Sequence, residues 1–142
     1  AAWAAILAAA AGWALLLAPT VREVEAFRRS PFIGLYPPEK AGEAVFRWMR
    51  PRAALRLGPG EKKTLAFSFP DPSAPPRSLT VRESGRPLFA GRVPARPVVL
   101  TFVSAADRAT VFRLEASPAV RPSDSGAPDS RLLALEVAGA WP

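Results

Sequence analysis

A chain of 142 residues with 49% hydrophobic content has room for one modest core and a short appendage. It contains no Cys and no His, which excludes a disulfide framework, His-ligated zinc, haem or chlorophyll, and any His general base. The net charge is +7, carried mostly by Arg that alternates with apolar residues rather than forming a basic run, so an anionic lipid surface or an acidic protein suits it better than nucleic acid.

The first eighteen residues read AAWAAILAAAAGWALLLA, with no charge. At about 1.5 Å per helical residue they span roughly 27 Å, close to the ~30 Å hydrocarbon core. Residues 1–19 are therefore expected to form one transmembrane helix, closed by Pro19, with Trp3 large enough to reach an interface and Arg22 as the first charge. Ten Ala in eighteen residues make a poor lone anchor. Ala4, Ala8 and Gly12 place small residues every fourth position, a face on which another helix can pack closely. The first residue is not Met, which leaves open processing, an unseen start, or the tail of a longer protein.

Residues 20–42 are expected to carry a short amphipathic helix end, Val21 to Phe27, followed by an apolar linker. Ser30-Pro31 and Tyr36-Pro37-Pro38 break the helix, and Phe32, Ile33, Leu35 and Tyr36 are expected to lie on the bilayer surface or on a partner. Arg22, Arg28, Arg29 and Lys40 then stand close to the membrane, facing anionic headgroups or acidic partner side chains.

From residue 43 to 142, short runs alternate in polarity between turn residues. Strands are predicted at 45–50, 53–57, 64–69, 79–83, 87–92, 98–103, 110–117 and 131–138. Gly58-Pro59-Gly60 and Ser84-Gly85 supply tight turns, and 13 of the chain's 17 Pro fall among these runs. Eight short strands without a long intervening helix predict an all-β domain, an antiparallel β-sandwich or jelly roll, preceded by the one transmembrane helix.

The run FRWMRPRAALRL (Phe46 to Leu57), the loop PDPSAPP, the hairpin VRESGRPL and the closing RPSDSGAPDSRLLALEV (Arg121 to Val137) carry a resemblance. Together they resemble β-sandwich domains appended to bacterial membrane glycosyltransferases and related envelope proteins. The resemblance covers most of residues 43–137 and implies a sandwich on the extracytoplasmic side of the cytoplasmic membrane. The polytopic catalytic part of such enzymes has no counterpart in these residues, so the resemblance implies a fold and no activity.

Two further places offer ligand chemistry. Asp124 and Asp129, in a loop with Ser123, Ser125, Gly126 and Ser130, supply oxygen ligands of the kind Ca²⁺ takes, but the spacing matches no EF-hand and an Asp129–Arg131 turn bond competes. Trp48 between Arg47 and Arg50 is either a sugar-stacking or cation–π platform or a core side chain. No carboxylate pair has catalytic spacing, no phosphate loop is present, and no Ser has a base to activate it. The expectation is a non-catalytic, cofactor-free accessory subunit in a bacterial inner membrane. It would dock on a larger respiratory, photosynthetic or envelope-synthesis complex, with its β domain periplasmic. The alternatives are a carbohydrate-binding module, for which Trp48 or Trp141 must be exposed, or the C-terminal part of a polytopic glycosyltransferase.

Overall fold

The computed structural model describes residues 21–139. Helix α1 (Val21–Arg29) is followed by nine strands: β1 (Phe32–Leu35), β2 (Glu39–Ala41), β3 (Ala44–Leu57), β4 (Lys62–Ser68), β5 (Arg77–Glu83), β6 (Arg86–Val93), β7 (Val98–Val103), β8 (Thr110–Ser117) and β9 (Leu135–Gly139). The 1–19 segment, with Ala4, Ala8 and Gly12, and Trp141 lie outside the described residues. Among the described residues no helix is long and apolar enough to cross a membrane.

Local chemistry explains most boundaries. Glu23 sits in the first turn of α1, and Arg28 and Arg29 in the last, each matched to the helix dipole. Ser30-Pro31 ends the helix, because the residue before a proline is pushed from the helical to the extended region. Between β5 and β6, Ser84 and Gly85 both take positive φ, 49° and 78°, as a two-residue hairpin turn requires.

Strand β3 organises the domain. On one edge it pairs with β2 through Ala44–Phe46 and then with β1. On the other edge Arg47–Met49 pair with β9, and Arg52–Leu57 pair with β8. Pro51 falls where β9 hands over to β8, the place in the ladder where a missing N–H costs least. All strand pairs are antiparallel, in the order β6-β5-β8-β3-β9-β4-β7. From the handover, β8, β5 and β6 form one layer (layer A) with the second half of β3. Strands β9, β4 and β7 form the other (layer B) with its first half. The layers face each other: Phe102 of β7 meets Phe112 of β8, ring centroids 5.2 Å apart, although the two strands are not sheet neighbours. Met49, Leu55, Leu65, Phe67, Leu79, Leu114, Leu135 and Val137 fill the space between them with almost no exposure.

The observed strands differ from expectation in several places, and both β1 and β2 arise in the 20–42 segment expected to be helix end and linker. The expected linker from Phe32 to Tyr36 instead begins the sheet. Phe32 is 3% exposed opposite Leu55, and the register shift at Gly34 lets β1 follow the bend of β3. The runs 45–50 and 53–57 are one strand, because Pro51 interrupts pairing without interrupting the extended backbone. Strand β9 starts at Leu135 rather than Arg131. The preceding backbone is engaged elsewhere: Leu132 N–H donates to the Tyr36 hydroxyl, and Leu133 bridges to Val120.

Candidate functional site

Side chains directly opposite each other in an antiparallel pair share a face, so the register sorts the charged residues. On the outer face of layer A, Arg52 stands opposite Glu115, Ala54 opposite Arg113, and Arg56 opposite Val111. Glu115 and Arg113 are in turn opposite Thr80 and Arg82, and Ser78 is opposite Arg92. Five arginines (52, 56, 82, 92 and 113) therefore share this face with one glutamate. Four of the five are exposed, and the side chain of Arg52 is 86% accessible, held only loosely to Glu115 at 3.8 Å. Arg82 directly opposite Arg113 is a like-charge pair that costs stability unless neutralised.

Helix α1 provides that neutralisation. The Arg113 guanidinium donates to one carboxylate oxygen of Glu23 at 3.0 Å and lies in ion-pair contact with the other at 2.8 Å, fixing the first turn of the helix to the centre of the basic face. Val24, Phe27 and Arg28 then line a shallow pocket with Arg56 and Val111. No residue of α1 is buried, and Val21 and Val24 stay 77% and 44% exposed. Arg22, Arg28 and Arg29 thus add to the charge of layer A. Lys40 does not join them; it lies on β2, at the opposite end of β3 from Arg56.

The outer face of layer B is different in kind. Its register brings together Glu39 with Phe46, and Trp48 with Glu136 and Ser68. Beyond them lie Ala66, Ala138, Thr64, Thr101 and the exposed Val99 and Val103. Trp48 is half-buried, with the rings of Phe46 and Phe69 meeting it in edge geometry at 6.2 and 6.1 Å. It is neither a core residue nor a free platform. Burial and the nearby Glu39 push the Glu136 carboxyl above the usual carboxylate range.

Asp129 is bound to Arg131, which donates to it through Nε and one terminal nitrogen, the latter at 2.8 Å. Arg131 also reaches Glu39 at 2.9 Å and lies 5.3 Å from the Tyr36 ring centroid, with Arg50 at 4.7 Å. The Arg131 bonds hold the Asp129 carboxyl below its ordinary value, and the two carboxylates raise the proton affinity of Arg131. Asp124 is exposed in a short 3₁₀ turn, Pro122–Ser125, and is not among these contacts. Among the described residues no group of three His, Cys, Asp or Glu side chains is placed to hold a metal ion. The Asp129–Arg131 bonds therefore clamp this loop to Glu39 of β2 and to Tyr36.

Arg77, which the sequence did not single out, is 3% exposed, with its guanidinium 3.9 Å over the Phe69 ring and its Nε lacking a hydrogen-bond partner. Burial weakens its hold on the proton, and Asp71 partly restores it. Asp71 itself accepts from the Ser73 hydroxyl and amide, which lower its pKa.

No protein-family model matches the sequence, and no curated protein does. Among solved structures, the chain is similar to a family 35 carbohydrate-binding module from an environmental isolate. The TM-score is 0.43 at 11% identity, covering 76% of this chain and 87% of the module.

Proposed function

We propose that this chain is a non-catalytic accessory subunit of a larger bacterial membrane complex, held at the inner membrane by residues 1–19. Its β domain lies on the periplasmic side, and its partner is a respiratory, photosynthetic or envelope-synthesis assembly. The observation that supports this most is the attachment of α1 by Glu23 and Arg113 to the arginine-rich face of layer A. The uncharged Ala-rich segment leads directly into a helix fastened to the side of the domain best suited to an acidic surface. The test is purification in mild detergent from the native membrane. A stoichiometric partner complex is expected, and recovery of an isolated monomer sinks the proposal.

A second proposal is glycan binding by the outer face of layer B, favoured by Trp48 beside the carboxylate of Glu136 and the hydroxyl of Ser68. Aromatic rings stack on sugar faces while carboxylates accept from hydroxyls. Here Trp48→Ala is expected to abolish retention on an envelope-glycan column, and unchanged retention removes this reading. The sandwich of a severed glycosyltransferase would show the same face, and only the gene upstream of Ala1 separates the two.

A further inference from the structure

The two outer faces of the domain carry very different charge. Layer A presents Arg52, Arg56, Arg82, Arg92 and Arg113 against Glu115, and α1 on that face adds Arg22, Arg28 and Arg29 against Glu23 and Glu25. Layer B and its flanking clamp present Lys62, Arg50 and Arg131 against Glu39, Glu136 and Asp129. The excess positive charge of these faces is therefore gathered on layer A.

The same face receives the chain from its uncharged end. Twenty-one residues without a charge precede Arg22, and the next turn is held by the Glu23–Arg113 ion pair at the middle of layer A. A segment of that composition entering a bilayer leaves the outer side of layer A within a helix diameter of the headgroups, about 10–12 Å. Exposed Val21 and Val24 on α1 extend the contact with apolar side chains suited to the headgroup–acyl boundary.

We infer that the outer face of layer A lies flat on the membrane and binds anionic lipid headgroups through Arg52, Arg82 and Arg92. Arg113 is occupied in holding α1, and Arg56 lines the pocket beside the helix. This rests on the membrane placement proposed above and adds which face of the sandwich meets the lipid. Arginine suits the task because its planar fork donates two bonds to one phosphate, and each basic residue near an anionic surface strengthens binding roughly fivefold. The domain would thus lie down on the bilayer, leaving layer B turned to the aqueous side.

The absence of native Cys makes the test direct. A fluorophore is placed through Ser78→Cys on layer A or Val99→Cys on layer B, both exposed positions, in the full chain. The chain is reconstituted in phosphatidylcholine vesicles, with or without about 30 mol% phosphatidylglycerol, containing a headgroup-linked nitroxide quencher. With the anionic lipid, quenching of the Ser78 label is expected to exceed that of the Val99 label by about twofold or more, and the excess is expected to vanish near 0.5 M NaCl, where screening falls to roughly 4 Å. The triple variant R52Q/R82Q/R92Q loses the excess, while R52K/R82K/R92K keeps most of it, so a folding defect is told apart from a charge effect.

Equal quenching of the two labels, or an excess indifferent to the glutamine substitutions, overturns the inference and leaves the face to an acidic protein. Flotation with pure phosphatidylcholine vesicles reports the anchor separately. A chain that does not float, yet shows the Ser78 excess on anionic vesicles, upholds the lipid-binding face and defeats the anchored reading.

Discussion

The Tyr36 side chain shows how a single hydroxyl can fix a loop. It accepts from Leu132 N–H at 3.1 Å and donates to Leu132 C=O at 3.3 Å, satisfying both backbone groups of a residue that has left the sheet. Tyr36→Phe is expected to cost about 1 kcal/mol, the usual net value of such bonds, measured as a lowered urea midpoint with an unchanged slope. Glu136 gives a pH signature of definite sign. Its folded carboxyl holds a proton more tightly than the unfolded one, so its ionisation subtracts stability as pH rises from the ordinary carboxyl range, about 4.3, through the raised value. Glu136→Gln should therefore raise the melting temperature at pH 7 and lose that advantage near pH 4. An equal gain at both pH values contradicts the assignment. Asp129 has the opposite sign: its stabilising bond to Arg131 is present above the usual Asp range and is lost as pH falls through its lowered value.

At the scale of elements, the strands were legible wherever inward and outward residues alternate cleanly. Strands β7 and β8 are found at their expected bounds, Val98–Val103 and Thr110–Ser117. Strand β1 was not legible, because it has four residues with Gly34 at a register shift and shows no alternation to read. Gly34 has φ of 85°, and a Cβ there would meet Arg52 O at 2.5 Å and Ala53 Cα at 2.7 Å. Gly34→Ala is thus expected to cost upward of about 2 kcal/mol through backbone strain and crowding, and calorimetry showing a neutral effect would refute this account of the bulge. The inter-layer ring contact makes a comparable prediction. Phe112→Ala removes a ring 1% exposed against Phe102, and a loss of about 3–5 kcal/mol is expected in denaturant titration.

For the whole molecule, alternation revealed that the strand arginines point outward but not that they point the same way. That depends on β8 lying between β3 and β5, a long-range pairing no local pattern encodes. In the sequence Arg22, Arg28 and Arg29 stand out by their nearness to the apolar segment, while Arg52, Arg56, Arg82, Arg92 and Arg113 do not, although they supply most of the face beneath α1. Lys40 went the other way: near the segment in sequence, it sits at the far end of β3. The same logic accounts for Trp48, whose half-buried state follows from Phe69 arriving beside it at the end of β4. The proposed membrane anchoring of the chain is tested most directly by extracting native membranes with about 1 M salt and alkaline carbonate, treatments that cancel surface electrostatics but not a spanning helix. The chain is expected to stay in the membrane pellet until detergent is added. Release by salt or carbonate alone would contradict the anchored account.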